Sequence, residues 1–167
     1  MHETSYNGVS ALVNQFMDKT KPYSILDVGS YDVNGNYKSI FNYPGWSYLG
    51  VDIANGPNVD KVIEPYQWDL QDNSFDVVLS GQCLEHVEMP WLWVKEAERV
   101  CKPGGLIILT APWCFPIHQY PVDCCRLLPD GMTVLLTKVA RTVILHLSTN
   151  DNDCFAVARK PDEIDTQ

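Results

Sequence analysis

The chain has 167 residues, 46% of them apolar and 20% charged, with a net charge of −9. That length suits one domain able to bury roughly 70% of its unfolded surface without disulfide staples. No apolar run nears the ~18 residues of a membrane span, and an acidic chain without a Lys/Arg cluster argues against a nucleic-acid partner.

The first element expected is a helix over residues 7–19, where Val9, Leu12, Val13, Phe16 and Met17 share one face. Ser5 or Asn7 is its expected cap and Lys21-Pro22 its end, within an N-terminal segment 1–21. A strand over 23–28 leads into a glycine loop, a short helix over 36–41 and a Pro44-Gly45 turn. Strands are expected over 46–53, 59–64 and 75–80. Pro90 opens a helix to about Lys102, stopped by the KPGG stretch. Trp91 and Trp93 cannot share a face of this helix, so one of them is expected to be exposed.

The apolar strand 106–112 has the composition of one buried on both faces. Residues 112–128 are irregular, and Pro129 starts a helix to about residue 140. Strands 141–148 and 154–160 are close enough only for an antiparallel hairpin. The polar tail 161–167 is expected to fray. Alternating strands and helices predict an α/β fold: a Rossmann-like, doubly wound, mostly parallel sheet of seven strands, closed by an antiparallel hairpin, in three αβα layers. One domain over 1–167 is expected. Ligands of such sheets lie at the carboxyl ends of the strands, here loops 28–36, 52–57, 64–69, 80–90 and 111–128.

The N-terminus carries no basic region followed by an apolar run, so no signal peptide is expected. The six cysteines include no C-x-x-C pair. They are expected to be reduced, mostly buried thiols of a cytoplasmic protein. His2, His86, His118 and His146 are scattered without ligand spacing, and no metal is expected.

The loop ILDVGSYDVNG lacks the middle glycine of a pyrophosphate-binding G-x-G-x-x-G, and Tyr31 and Asp32 stand in it. An aspartate there repels phosphate. The loop suits a ligand with a positive end, and Asp27 and Asp32 are candidates to hold an ammonium. Asp52 ends the second strand, where its two oxygens can accept from both hydroxyls of a ribose. An acid at that distance also occurs in NAD sites.

ILDVGSYDVNG, YLGVDI, SFDVVLSGQCLEHVEMP and ERVCKPGGLIILTAP occur in the order and spacing of class I S-adenosylmethionine-dependent methyltransferases. The chain resembles that family over residues 23–131, in particular its small bacterial type with FDVV, LEH and KPGG signatures. HQYPVDCCRLLPDG also looks like a segment that follows the fifth strand in some members. The resemblance implies that Asp27, Gly29, Ser30, Tyr31, Asp32 and Gly35 surround the methionine part of the cofactor. Asp52 then takes the ribose hydroxyls, with Ile53 on the adenine. The segment from Glu64 to Trp68 flanks the adenine's other face, with Glu64 or Asp69 toward its amine. Ser80, Gly81 and Gln82 run beside the sulfonium. Tyr31 departs from the family, which has a glycine there.

Glu85 and His86 fall at the site edge by the same resemblance, orienting loops or meeting the acceptor. His118 is the candidate base, since imidazole titrates near neutrality. Asp123 and Arg126 pair locally or bind a polar acceptor, and Trp113, Phe115 and Tyr120 wall an acceptor pocket or belong to the core. The function expected is methyl transfer to a small-molecule acceptor, in an open site or a pocket completed by a second copy of the chain. The alternatives are a silent module with the same fold, or an NAD-dependent oxidoreductase.

Overall fold

Apolar runs too short for helices pair into one sheet. The computed structural model describes residues 3–119 and 122–162. The strands are β1 Tyr23–Val28, β2 Trp46–Asp52, β3 Lys61–Val62, β4 Phe75–Gly81, β5 Cys101–Pro112, β6 Val143–Thr149 and β7 Asp153–Arg159. Their order in the sheet is β3-β2-β1-β4-β5-β7-β6. All neighbours are parallel except β7, which runs antiparallel to β5 and β6. The chain winds outward from β1 to β3 and then crosses back to β4. The direction of winding therefore reverses between β1 and β4, where a crevice opens at the carboxyl edge.

The helices are α1 Glu3–Phe16, α2 Pro90–Val100 and α3 Pro129–Val134, the last continuing as a π-turn Leu135–Val139. Strand alternation sends side chains to two cores. Val9, Leu12 and Val13 of α1 pack with Ile25, Val77, Leu79 and Ile108 on one face. Trp93, Val94 and Ala97 of α2, with Met132 and Leu136, pack with Leu26, Val78 and Ile107 on the other. The three layers and the closing hairpin are as expected. Among the described residues no helix is long and apolar enough to cross a membrane.

The boundaries differ where tertiary contacts outweigh local signals. Helix α1 starts at Glu3, and Ser5 is not a cap but a buried helical residue whose Oγ lies 2.8 Å from Tyr37 Oη. Helix α2 stops at Val100 because Cys101 turns extended and pairs with Phe75, so KPGG lies within β5. The short helix is a 3-10 turn, Lys38–Phe41, and the third strand shrinks to two residues. Trp93 is buried and Trp91 is 49% exposed, which resolves the tryptophan pair. Only Cys101 and Cys154 are fully buried, Cys83 and Cys125 are half-buried, and Cys114 and Cys124 are exposed; all six are free. Of the tail, residues 163–167 lie outside the described residues, as does His2.

Candidate functional site

The carboxyl edge of β1, β2 and β4 opens into a cavity of about 990 Å³. It runs from the loop after β1, past Asp52, Ile53 and Trp68, to Glu85, His86 and His118.

At the β1 end the chain supplies its own polar partners. Asp27 is buried, and its Oδ2 accepts from Tyr48 Oη at 2.5 Å. Burial pushes its carboxyl up to about 7, against the Tyr48 hydrogen bond and with help from the nearby charge of Asp52. Asn58 Nδ2 donates to Tyr48 Oη and to the Ser30 carbonyl, both at 3.0 Å, and Ser30 Oγ donates to the Asn58 carbonyl at 2.9 Å. Asp32 is consumed by its own loop, accepting from Gly35 N and Asn36 Nδ2, both at 2.6 Å. It closes the turn and has less capacity left for an ammonium than Asp27.

Gly29 and Gly35 sit at φ 82° and 112°, where a side chain is strained. A Cβ on Gly29 would also lie 2.5 Å from Cys83 Sγ. Tyr31 keeps an ordinary negative φ, so the loop closes without a glycine there. Its ring lies against Gly56, where a Cβ would come within 2.0 Å of it.

Asp52 ends β2 and receives Tyr31 N at 3.2 Å and Ala54 N at 3.1 Å, one on each oxygen. Each oxygen keeps a lone pair for a ligand. Ile53, at 58% exposure, lies on the cavity wall. Trp68 is buried in edge contact with Trp93, 5.3 Å between centroids. Its backbone N–H donates to Glu96 Oε2 at 2.7 Å, and Arg99, bound to Glu96, donates to the Trp68 carbonyl at 2.8 Å. These bonds clamp the 64–70 segment on α2. Glu64 is exposed and does not line the cavity. Asp69 points to solvent, 3.2 Å from Lys61 Nζ.

Gly81 lines the cavity, but Ser80 faces the other side of β4 and donates to the Val28 carbonyl at 2.7 Å. Gln82 is held at φ 55°, and its amide turns away to Asp153 Oδ1 at 2.9 Å. Its flank on the cavity is therefore largely backbone.

The far end differs. Glu85 is 1% exposed, and neither carboxylate oxygen has a hydrogen-bond partner. Burial pushes this carboxyl up to about 7. His86 Nε2 lies 3.6 Å and His118 Nε2 3.9 Å from Glu85 Oε1, and the two rings meet edge to face at 5.1 Å. Arg126 holds the segment together by a two-point ion pair with Asp123 and by bonds to the Phe115 and Pro116 carbonyls. The guanidinium keeps the Asp123 carboxyl well below the usual range. Asp123 Oδ2 also accepts from His118 N at 2.7 Å. Asp123, Arg126 and Trp113 lie outside the cavity lining, so the local-pair alternative is the one formed. Trp113 Nε1 donates to the Asn150 carbonyl. Tyr120 lies outside the described residues.

Sequence reasoning misses Tyr48 and Asn58 as partners of the glycine loop. The signal was the parallel register of Asp27 with Gly50, which puts Tyr48, two residues back, on the same face.

A profile of the family described as "methyltransferase domain" matches residues 26–109. An uncharacterized methyltransferase of Mycobacterium bovis (strain BCG / Pasteur 1173P2) is 31% identical over 99 residues, covering 52% of this chain. The match spans 38% of that relative's length. Among solved structures, an S-adenosylmethionine-dependent methyltransferase of Methanosarcina mazei superposes at a TM-score of 0.71 and 16% identity, covering 91% of this chain and 98% of that one. A 1,6-didemethyltoxoflavin N1-methyltransferase of Burkholderia thailandensis, solved with its acceptor and S-adenosylhomocysteine, reaches 0.76 at 16% identity, over 96% and 80%.

Proposed function

The chain belongs to the methyltransferase-domain family, and from that premise we propose that it transfers a methyl group from S-adenosylmethionine to a small-molecule acceptor in the cavity described above. The observation that carries the reading is one continuous cavity with a preformed nucleoside end and a separate cluster of ionisable groups at its far end. Its volume lies at the upper end of the ~300–1,000 Å³ typical of ligand pockets, which leaves room for donor and acceptor together.

The residues present fit the cofactor. Asp27 is a buried carboxylate reluctant to ionise alone, and an ammonium beside it would restore its charge. The Gly29 loop admits backbone approach, and the free lone pairs of Asp52 suit vicinal hydroxyls. Ile53 and the Ile63–Trp68 stretch supply apolar surface for a base. When bound, S-adenosylmethionine supplies a methyl group on a sulfonium. The chain's own part is to position donor and acceptor and exclude water, worth several kcal/mol. For a hydroxyl acceptor, His118 Nε2 is the proton acceptor.

Calorimetric titration with S-adenosylmethionine, S-adenosylhomocysteine and NAD tests the reading, repeated on Asp52→Ala. Micromolar binding of the first two is expected, weakened about 100-fold in the variant by loss of two charge-assisted hydrogen bonds. Preference for NAD, or no binding by a folded protein, would overturn it.

A further inference from the structure

We propose that Glu85, His86 and His118 form a binding site for a divalent first-row metal ion, with positions left open toward the cavity for an oxygen of the acceptor.

The two imidazoles are held in a defined state. His86 Nδ1 lies 2.5 Å from the Val122 carbonyl, and His118 Nδ1 lies 3.2 Å from the Pro116 carbonyl. A carbonyl only accepts, so each Nδ1 carries a hydrogen, and in the neutral ring each Nε2 keeps its lone pair. Both lone pairs face the same oxygen of Glu85, at 3.6 and 3.9 Å. That oxygen is buried and has no donor of its own. With both rings neutral, three acceptors converge with no hydrogen among them. A proton on Glu85 does not mend this, because neither separation is a hydrogen bond. A cation between them satisfies all three.

The surroundings are those of a metal ligand set. Ligating histidines commonly donate their second ring N–H to a backbone carbonyl, which fixes ring and tautomer. The three ligand atoms lie within 4.8 Å of one another. A tetrahedral ion with bonds of ~2.1 Å separates its ligands by roughly 3.4 Å, so a modest contraction closes the site. Two imidazoles and one carboxylate suit Zn²⁺, Mn²⁺, Fe²⁺ or Co²⁺ and leave coordination positions free. In the loaded chain His118 is a ligand and no longer the proton acceptor. The acceptor oxygen rests on the methyl-transfer reading; metal binding does not. Sequence spacing concealed the site, since 31 residues separate the two histidines.

The test is titration of the chelator-stripped chain with Co²⁺, followed by visible absorption and thermal melting. One saturable equivalent is expected, with the d–d bands of an N/O site, no thiolate charge-transfer band and a raised melting temperature. Affinity should fall at least tenfold in Glu85→Gln and in His118→Ala and be unchanged in Cys124→Ser. His118→Ala alters a loop outside the core, so it decides the matter even if Glu85→Gln fails to fold. Acetohydroxamate should perturb the bands if positions are open. No saturable binding, binding that survives His118→Ala, or binding lost in Cys124→Ser would overturn the site, and an unperturbed spectrum would overturn its open positions. Parallel titration with S-adenosylhomocysteine separates the two proposals: nucleoside binding without Co²⁺ binding defeats this one alone, and the reverse defeats only the methyl-transfer reading.

Discussion

Asp27 and Glu85 are buried carboxylates on the same sheet edge, and burial pushes both up to about 7. Asp27 accepts from Tyr48, which Asn58 braces in turn, and Asn58 also ties down Ser30. Glu85 has no such partner and faces two imidazole nitrogens. The β1–β2 end is therefore complete before any ligand arrives, as preorganised binding requires. The end after β4 is incomplete, and a ligand there supplies the missing interaction. Substitutions should cost stability at the first end and can raise it at the second.

The sharpest break in this contrast is Gly29→Ala. The positive φ and the Cys83 contact should make it destabilising by about 2–4 kcal/mol in urea denaturation. An unchanged midpoint would show that the loop is not pinned. Glu85→Gln should act in the opposite sense. Near pH 7.5 it removes the cost of ionising a buried group and should stabilise the metal-free chain by something on the order of 2 kcal/mol. A lowered midpoint for Glu85→Gln would erase the distinction between the two ends.

The same carboxyls set a pH dependence. Between about pH 4 and 7 the folded chain holds protons on Asp27 and Glu85 that the unfolded chain has lost, so these groups make stability fall as pH rises. Asp76, Glu96 and Asp123 are held low, and their contributions vanish only at more acid pH. Thermal melts of the metal-free chain should peak at about pH 4. A melting temperature that climbs steadily to pH 8 would contradict the two raised values. The smallest effect is expected for Arg126→Ala. Losing its pair with Asp123 and its two carbonyl contacts should cost about 1 kcal/mol and quicken protease cleavage within 112–128.

Most strands were legible because short, mainly apolar runs bounded by turn residues have few other fates, and the β1 loop and Asp52 were legible from their spacing. The strand order was not legible, because no local pattern carries it. Ser80 was misplaced toward the cofactor although alternation along β4 sends it with Val78 to the α2 face. Ser5 read as a cap because its distant partner, Tyr37, leaves no trace in local sequence. The Glu85–His86–His118 cluster depends on residues 122–125 folding back onto the Leu84–His86 turn after β4. Its anchors are backbone bonds from Cys124 and Cys125 to the Glu85 carbonyl, which any residue could make.

Strand β6 reaches the sheet only through β7, and β7 alone covers the outer edge of β5. As the chain emerges from a ribosome, β5 is made 40 residues before β7 begins. At ~5–20 residues per second, its apolar edge waits roughly 2–8 s for a partner. Translation speed across 113–152 thus sets how long the nascent chain offers that edge to other chains or to chaperones.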